Sequence, residues 1–475
     1  MASDGQVGVD VDVLRRLNGN ALVAHRAGRS LEALEIYDRL IAAAPALAVL
    51  HNNRGVILAE LGRDGDARPA FERAVSLDPG HVDAQIGLGA LLWRAGEIAP
   101  SLSRYQSAAI RDPRRLDAHL AIFELAQIVG DRATALRHQN AALALRRLYT
   151  TEATVVPPRR RLLVLKAPGD WQANMPLEYV LDPAGNTVHT WYVDPAELAR
   201  PSIVLPEHDL VINAVSESDA VERLLDAIAA FAGRSAVPLL NHPEGVKRAA
   251  RHRFPEHLAG IPRCLAPRPL RLTRQKLAGD DLAERLAAAG VAMPILVRPV
   301  ASQAGRDLAR VADPAELARY LAGVAEEDLF YVTPFCDYAG ADGLYRKYRI
   351  VFVDGEPFPY HLAISQSWMV HYYNAGMREN AGRRAEEARF LADLGSAFDA
   401  GLQEALHRLA QAIGLDYFAI DCTVMPDGRL LVFEVETGMI VHNLDPTDIY
   451  PYKPAAFARI AGALEALLAR RQLSS

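Results

Sequence analysis

The carboxylates Asp421, Glu434 and Glu436 are the residues of this chain whose types and spacing most directly suggest chemistry. The β-rich runs 416–424 and 429–436 are joined by a Met-Pro-Asp-Gly turn, which predicts a β-hairpin. Glu434 and Glu436 are two residues apart, so they project from one face of the returning strand, and Asp421 lies on the partner strand. Three carboxylates converging on an apolar sheet repel one another unless a cation lies between them, and oxygen ligands suit Mg²⁺. The alternative is an acidic hairpin edge that faces solvent.

An arginine stands at the end of an apolar strand upstream of the hairpin. Residues 294–299 read as a strand that carries Arg298, and a turn of small residues with Ser302 and Gly305 follows. An arginine beside a flexible turn is well placed to hold phosphate oxygens. The alternative is an ordinary β-turn with a solvated arginine.

Three more cations open the strand 350–353. Lys347 and Arg349 share one face of the chain, and Arg346 lies on the other. Cations at the head of a buried strand need anions, so at least one of these faces is expected to point into a cleft. A solvated edge strand is the alternative.

The segment 360–374 is polar and aromatic in a way that core strands are not. We expect it to line a substrate pocket in which a histidine deprotonates an incoming amine. The candidate residues are His361, Ser365, Trp368 and His371, with Asn443 bordering the same cleft after the hairpin. The alternative is a set of packed aromatic rings with hydrogen-bonded histidines.

The composition bounds the class of protein. The chain has 475 residues, so two or three domains are expected, and half of the residues are hydrophobic. A net charge of −6 argues against nucleic acid as a partner. Three scattered cysteines offer neither a disulfide framework nor zinc-ligand spacing. We see no signal peptide and no apolar run long enough to span a membrane, so we expect a cytoplasmic protein with no membrane partner.

The first third of the sequence is periodic. Glycines recur every 34 residues at Gly28, Gly62, Gly96 and Gly130. Prolines keep the same period at Pro45, Pro79 and Pro113, and a small residue stands four positions before Tyr37, Phe71, Tyr105 and Gln139. This pattern resembles the tetratricopeptide repeat, a helix–turn–helix unit of 34 residues that stacks into an α-solenoid. The resemblance implies that the repeats bind a protein or peptide partner, although a rigid spacer or a dimerisation module is also possible. The candidate partner-binding residues are Asn18, Asn52, Asn53, Arg54, Gln85 and His119.

The remaining two-thirds alternates short apolar strands with amphipathic helices, as expected of an α/β (α+β) architecture. Strands are expected at 162–165, 209–213 and 237–240, and each ends in polar residues that open sheets use to bind ligands. The predicted domains are a repeat domain at 11–149, a linker at 150–160, an α/β subdomain at 161–240 and a nucleotide-binding and catalytic domain at 241–475.

The order of these features resembles the ATP-grasp superfamily over about 161–475. The resemblance implies ATP and Mg²⁺ as cofactors and an ADP-forming ligase that joins a carboxylate to an amine through an acyl-phosphate. It assigns the metal carboxylates to Asp421 and Glu434, and the arginine that steadies the transferred phosphate to Arg349. It also assigns Thr333 and Phe335 to the adenine edge and Asp337 to the ribose.

This sequence departs from the family pattern at several positions. Arg298 stands where lysine is usual, and Glu436 stands where asparagine is usual. The loop is poor in glycine, and the lysine that should precede it has only Lys247 and Lys276 as candidates. Two other functions therefore stay open: a non-catalytic repeat scaffold with a nucleotide-binding domain, and a kinase-type phosphoryl transferase on the same fold.

Overall fold

The computed structural model describes residues 11–200, 202–300, 302, 305–324 and 327–473. It divides into two compact units: residues 11–147 with Pro168–Trp171 form the first, and Leu148–Ala167 with the chain from Gln172 onward form the second. Among the described residues, no helix has both the length and the apolar character that a bilayer crossing requires.

The first unit is built from helical hairpins. Its helices are α1 (Val11–Arg26), α2 (Ser30–Ala43), α3 (Ala48–Glu60), α4 (Asp64–Leu77), α5 (Val82–Arg94), α6 (Ile98–Arg111), α7 (Leu116–Ile128) and α8 (Arg132–Leu145). The turns within the four hairpins have φ of 78°, 72°, 77° and 80° at Gly28, Gly62, Gly96 and Gly130. Glycine adopts such a positive φ at little cost, so the predicted turns of the 34-residue period are confirmed.

The aromatic position of the repeat fills the space between helices. Tyr37, Phe71 and Tyr105 are 0%, 1% and 5% exposed. The small residue four positions earlier is fully buried at Ala33, Ala67, Ser101 and Ala135. A Cβ on Gly87 of α5 would lie 2.5 Å from the Phe71 ring, so a glycine is needed for this close approach.

The second unit contains three sheets and the helices around them. Its strands are β1 (Leu148–Thr151), β2 (Arg160–Lys166), β3 (Asn186–Tyr192), β4 (Leu210–Asn213), β5 (Leu239–Leu240), β6 (Cys264–Leu265), β7 (Leu270–Thr273), β8 (Ile295–Pro299), β9 (Ala309–Val311), β10 (Leu329–Pro334), β11 (Tyr345–Val353), β12 (Glu356–Ser365), β13 (Tyr417–Val424) and β14 (Leu430–Glu436). Its helices are α9 (Pro195–Leu198), α10 (Glu222–Ala232), α11 (Pro243–Ala249), α12 (Phe254–Leu258), α13 (Arg274–Leu277), α14 (Leu282–Ala288), α15 (Pro314–Gly323), α16 (Ala381–Ala392), α17 (Ala400–Ile413) and α18 (Lys453–Leu473).

The first sheet has the order β1-β3-β2-β4-β5 and is parallel except for the pairing of β1 with β3. All four residues of β4 are buried, as is typical of a parallel sheet covered on both faces. The predicted linker at 150–160 differs from the structure, because its first two residues belong to β1 and its last residue begins β2. The strand β3 was not expected from the sequence, although its β-branched and aromatic residues favour a strand.

The second sheet has the order β7-β10-β8-β9 and is antiparallel throughout. Its core is local, since a cluster that includes Leu277, Leu286, Val297 and Phe330 is drawn from one continuous stretch of chain. The third sheet has the order β12-β11-β13-β14-β6, with only β6 parallel to its neighbour. The chain therefore leaves the third sheet after β6, builds the second sheet, and returns to the third as β11.

The third sheet contains the predicted hairpin. β13 and β14 pair antiparallel, with Asp421 opposite Glu434. The interpretation of 360–374 as unlike a core strand is wrong in its first part, since Tyr360–Ser365 is the end of β12. Leu362 and Ile364 are each 1% exposed, so β12 alternates its polar residues with core residues.

Candidate active site

Four polar side chains lie directly opposite one another on four neighbouring strands of the third sheet. His361 of β12 pairs with Arg349 of β11, Arg349 with Asp421 of β13, and Asp421 with Glu434 of β14. Opposed residues of antiparallel strands project from the same face, so these four form one line, which we call the transverse row. The strand register shifts directly after Arg349 and after Asp421, and such bulges re-aim side chains.

Two cations neutralise the centre of the transverse row. Arg349 donates from Nε to Oδ1 of Asp421 at 2.7 Å and from Nη2 to Oδ2 at 3.0 Å, and Lys347 Nζ donates to Oδ2 at 2.8 Å. Burial raises the pKa of Asp421, but the charges of Arg349 and Lys347 outweigh it and hold the pKa well below its usual value. The Asp421 side chain is 1% exposed, whereas those of Lys347 and Arg349 are 21% exposed. The two cations therefore present an accessible surface above a buried anion.

Glu434 and Glu436 differ in how their charge is balanced. Arg251 forms an ion pair with Glu434, and this charge outweighs burial and lowers the pKa of Glu434. Within the described residues, Glu436 accepts a hydrogen bond only from the backbone N of Gly438, at 3.0 Å. Burial, followed by the charge of Glu434, raises the pKa of Glu436.

The three carboxylates therefore lie on one face, but their surroundings do not form a metal site. Asp421 and Glu434 already have cations beside them. Across the described part of the chain, no group of three or more His, Cys, Asp and Glu side chains is arranged to hold a metal ion. These residues do not fit a preformed Mg²⁺ site, so the role of Mg²⁺ stays a prediction.

Arg298 is a buried cation near the same charges. It is 8% exposed and hydrogen-bonds Ser302, with Nε to Oγ at 3.2 Å and Nη2 to the backbone O. Among the described residues, no carboxylate lies within ion-pair distance of its guanidinium. Burial and then the charge of Arg251 lower the pKa of Arg298 to about 10. A guanidinium has five N–H donors, so several remain for an anion.

The two histidines have different surroundings. His361 lies near the rings of Tyr360 and Tyr372, at centroid distances of 4.2 and 4.8 Å, and its buried Nδ1 has no hydrogen-bond partner among the described residues. Burial, then Arg349 and Lys453, holds the pKa of His361 well below its usual value, so the ring is neutral. His371 lies against Gly305, where a side chain would clash with its imidazole.

The other predicted nucleotide residues surround β10. Thr333 lies on β10 opposite Leu296 of β8. The Phe335 ring lies 4.6 Å from the guanidinium of Arg310. Asp337 is exposed and accepts from the backbone N of Ala339 at 3.1 Å.

The remaining predicted pocket residues are dispersed. Ser365 Oγ accepts from the backbone N of Ser367 at 3.0 Å, and the Trp368 ring packs edge-on against Phe335 at 5.7 Å. Asn443 is exposed in the loop after β14. Within the described residues, no hydrogen bond or ring contact joins Ser365, Trp368 or Asn443 to the transverse row.

Arg346 does not join the transverse row either. Its guanidinium bonds Asp342, at 2.8 Å, and Glu386 on the other face of β11. Of the two lysine candidates, Lys247 is held by two surface carboxylates and Lys276 is exposed.

Sequence reasoning missed two residues of this charged group, Arg251 and Glu217. Burial, and after it the charge of Arg251, shape the pKa of Glu217, and Glu436 and Glu434 are among the charges that follow. Arg251 follows α11 within a run of cations, and Glu217 follows β4 at a strand end where ligands are expected. Both signals were present, but neither indicates that the residues meet β14.

The predicted partner-binding residues of the repeats fall into two groups. Gln85 and His119 are buried and bond the carbonyl of the proline six residues earlier, from Gln85 Nε2 to Pro79 O at 2.8 Å and with His119 Nε2 and Pro113 O at 3.0 Å. His51 makes the same contact with Pro45 O at 2.9 Å. The side chain at this position therefore binds the loop that precedes its own helix, a structural role that the sequence did not predict.

The second group lies between the first two repeats. Asn53 Nδ2 donates to Tyr37 Oη at 3.2 Å and to Asn18 Oδ1 at 3.4 Å, and Asn52 Nδ2 donates to Asn53 Oδ1 at 3.1 Å. The Oδ1 atom of Asn52 is buried and has no hydrogen-bond partner within the described residues. Arg54 pairs with Asp38 at 2.7 Å. We call Asn18, Asn52 and Asn53 the amide cluster.

The eight helices described between residues 11 and 145 form a tetratricopeptide-repeat solenoid. The family model of the tetratricopeptide repeat matches residues 18–82 and 52–115. No curated protein matches the chain.

Several solved structures are similar to part of the chain. A crystal structure of MamA is 20% identical, with 28% of this chain and 77% of that chain covered and a TM-score of 0.26. The first repeat domain of Spaghetti (RPAP3), bound to the HSP90 peptide SRMEEVD, is 20% identical, with 26% and 98% covered and a TM-score of 0.25. YrrB, a repeat protein with an unusual peptide-binding site, is 22% identical, with 29% and 71% covered and a TM-score of 0.25.

Proposed function

We propose that the second unit is an ATP-dependent ligase that joins a carboxylate to an amine. The observation that carries this proposal is Arg298, a buried arginine with spare donors and, within the described residues, no carboxylate in ion-pair distance. A buried cation is costly unless an anion balances it, and phosphate oxygens match the geometry of a guanidinium. The surfaces of Lys347 and Arg349 supply two further cations.

The reaction has two steps. ATP supplies a γ-phosphoryl group, which passes to an oxygen of the substrate carboxylate and leaves ADP and an acyl-phosphate. The amine nitrogen then attacks the acyl carbon, a C–N bond forms, and the C–O bond to phosphate breaks with its electron pair leaving on phosphate. The two excess protons of an ammonium are released in this step, one of them to the departing phosphate.

The residues of the site contribute mainly through charge. Arg298 holds phosphate oxygens, while Lys347 and Arg349 stabilise negative charge that spreads over the transferred group. Asp421 keeps these two cations fixed in place before ATP arrives, so little reorganisation is needed during the reaction. The neutral His361 adds no competing positive charge at the end of the transverse row.

The first unit is proposed to bind an extended peptide or protein segment, either a substrate or a partner. The amide cluster supports this, because amide groups hydrogen-bond an extended backbone and the Asn52 Oδ1 atom has no partner. The test is selection of binding peptides from a random library with the full chain. Asn53→Ala should weaken binding of the selected peptides by about tenfold, because one or two hydrogen bonds are lost. Equal binding by Asn53→Ala would remove the cluster from the partner site.

The ligase proposal is tested first by nucleotide binding. Thermal unfolding of the full chain is measured with ATP, with and without Mg²⁺, for the wild type, Arg298→Met, Glu434→Gln and the matched control Arg346→Met. Ligand at about 100 times its dissociation constant adds about 2.7 kcal/mol to the stability of the state that binds it, a shift of several degrees. We expect the shift in the wild type and in Arg346→Met, and its loss in Arg298→Met.

Product analysis then separates the possible reactions. A ligase releases ADP and phosphate only when a carboxylate and an amine are both present, whereas a kinase-type enzyme needs one acceptor. ATP binding without turnover in any mixture favours the non-catalytic scaffold. Absence of any ATP shift in the wild type overturns the enzyme proposal.

A further inference from the structure

The loop that follows β4 is fixed against the end of β14. The backbone N of Glu217 donates to Thr437 Oγ1 at 2.9 Å, and the backbone N of Ser216 donates to Ala173 O at 2.9 Å. Gly438 allows the approach, because a side chain there would clash with Ser216 Oγ. The first sheet therefore places Glu217 beside the residue that follows Glu436.

Glu217 has no balancing partner in this position. Among the described residues it makes no side-chain hydrogen bond and no ion pair. Arg251 is the cation that lowers the pKa of Glu217 most, but it is already paired with Glu434. Burial, with smaller contributions from Glu436, Glu434 and Asp219, raises the pKa of Glu217 to about 8.

A second polar group beside it is also unsatisfied. Ser216 is 8% exposed, and its buried Oγ has no hydrogen-bond partner in the part of the chain that the structure describes. An unpaired buried hydroxyl and an unpaired carboxylate each cost free energy that a ligand can recover. Glu436 adds a third acceptor, since one backbone N–H is the sole described donor to its carboxyl group.

We propose that Glu217, Ser216 and Glu436 form the subsite for a primary ammonium group, the amine substrate of the ligase. This inference rests on the proposed function for the identity of the substrate. A primary ammonium has three N–H donors, and the subsite offers three oxygen groups, two of them carboxyl groups. Mg²⁺ is the other cation that such oxygens bind, and an ammonium is favoured because three separate oxygen groups match its three N–H donors.

The test measures binding of a defined probe, n-butylammonium, to the full chain by saturation-transfer NMR, with and without a non-hydrolysable ATP analogue and Mg²⁺. The variants are Glu217→Gln and Ser216→Ala. The matched control is Glu207→Gln, which removes a carboxylate that is 80% exposed. Tetramethylammonium serves as a probe of equal charge without N–H donors.

We expect saturable binding of n-butylammonium in the wild type and in Glu207→Gln. Glu217→Gln should weaken it by at least about tenfold, because a hydrogen bond to a charged group is lost. Ser216→Ala should weaken it by several-fold, and tetramethylammonium should not displace it.

Three results overturn the inference: no saturable binding in the wild type, equal affinity in Glu217→Gln, or displacement of the probe by MgCl₂ in a way that depends on Glu217. The last result assigns the subsite to a metal ion. Because the assay needs no turnover, ammonium binding without ATP-dependent chemistry contradicts the ligase proposal alone. If the protein catalyses ATP-dependent ligation but Glu217→Gln leaves amine binding unchanged, only this inference is contradicted.

Discussion

Arg349 and Asp421 face each other on adjacent antiparallel strands and are joined by two hydrogen bonds, of 2.7 and 3.0 Å. The pair is bidentate, because two nitrogens of Arg349 bond the two carboxylate oxygens of Asp421. This geometry fixes the plane of the guanidinium as well as its position. Since Lys347 bonds the same carboxylate, one buried anion positions two cations of the site.

Removing that anion should destabilise the second unit. Asp421→Asn leaves Lys347 and Arg349 close together with little to balance their charges, so we expect a loss of about 3 kcal/mol in the free energy of unfolding. The control is Asp427→Asn, which breaks an exposed pair with Arg429 and should cost much less, because solvent screens exposed ion pairs. Urea unfolding followed by circular dichroism measures both, and equal losses would contradict the interpretation.

Replacing Arg298 should separate binding from folding. Because this buried guanidinium has no carboxylate partner among the described residues, Arg298→Met should change the free energy of unfolding by less than about 1.5 kcal/mol. The same variant should weaken the affinity for ATP by about tenfold or more, since a hydrogen bond from a charged group to phosphate is lost. Calorimetric titration with ATP checks the second value. Undiminished ATP affinity would exclude Arg298 from the nucleotide site.

The raised pKa of Glu217 predicts a pH-dependent effect. Its folded-state pKa of about 8 exceeds the ordinary value of 4.5, so the folded state binds the proton more tightly. The associated stability is complete below pH 4.5 and is lost as the pH rises towards 8. Glu217→Gln, which resembles the protonated form, should therefore unfold at a higher temperature than the wild type at pH 9 and at a similar temperature at pH 5. The expected gain at pH 9 is on the order of 2 kcal/mol, reduced for the partial exposure of the side chain. A gain of equal size at both pH values would mean that titration of Glu217 is not its cause.

Two glycines with similar backbones provide a steric comparison near His371. Gly305 and Gly343 have φ of 70° and 73°, but only at Gly305 does an added Cβ meet another side chain. Gly343→Ala should cost about 1 kcal/mol from backbone strain alone. Gly305→Ala should cost about 1 to 3 kcal/mol more, because His371 must move. Thermal unfolding measures the difference between the two variants. Equal losses of stability would show that the His371 imidazole moves aside without cost.

The two groups of polar residues in the repeats should respond differently to substitution. Gln85→Ala removes the bond to the Pro79 carbonyl and should lower the stability of the first unit by about 1 to 3 kcal/mol. Asn53→Ala alters a half-buried cluster and should lower the stability of the first unit by less than Gln85→Ala does. Its effect on the affinity for a selected peptide should be larger than that of Gln85→Ala. Unfolding curves of the two variants, with peptide titrations beside them, test the contrast. A stability loss in Asn53→Ala as large as in Gln85→Ala would assign both positions to structure.

The repeat period and the hairpin were predictable from the sequence because both depend on short-range patterns. Gly28 and its equivalents mark turns by backbone freedom, and Asp421 meets Glu434 because one turn sets the register of two strands. The meeting of Glu217 with the end of β14 was not predictable, since about 220 residues separate them and only tertiary packing joins them. The cations around Asp421 were visible as residues, but their pairing with it depends on the order of strands in the third sheet.

The second sheet interrupts the third sheet between β6 and β11, and this has a consequence for cooperativity. Its apolar cluster is drawn from the chain between Leu277 and Val332, with no member from any other sheet. A stretch that supplies its own core and is attached by two crossings can open as one unit while its surroundings stay closed. Amide protons of β7 to β10 should therefore exchange together at a free energy below that of global unfolding. The strand β8, which carries Arg298, would then gain rigidity when an anion ties it to the rest of the protein.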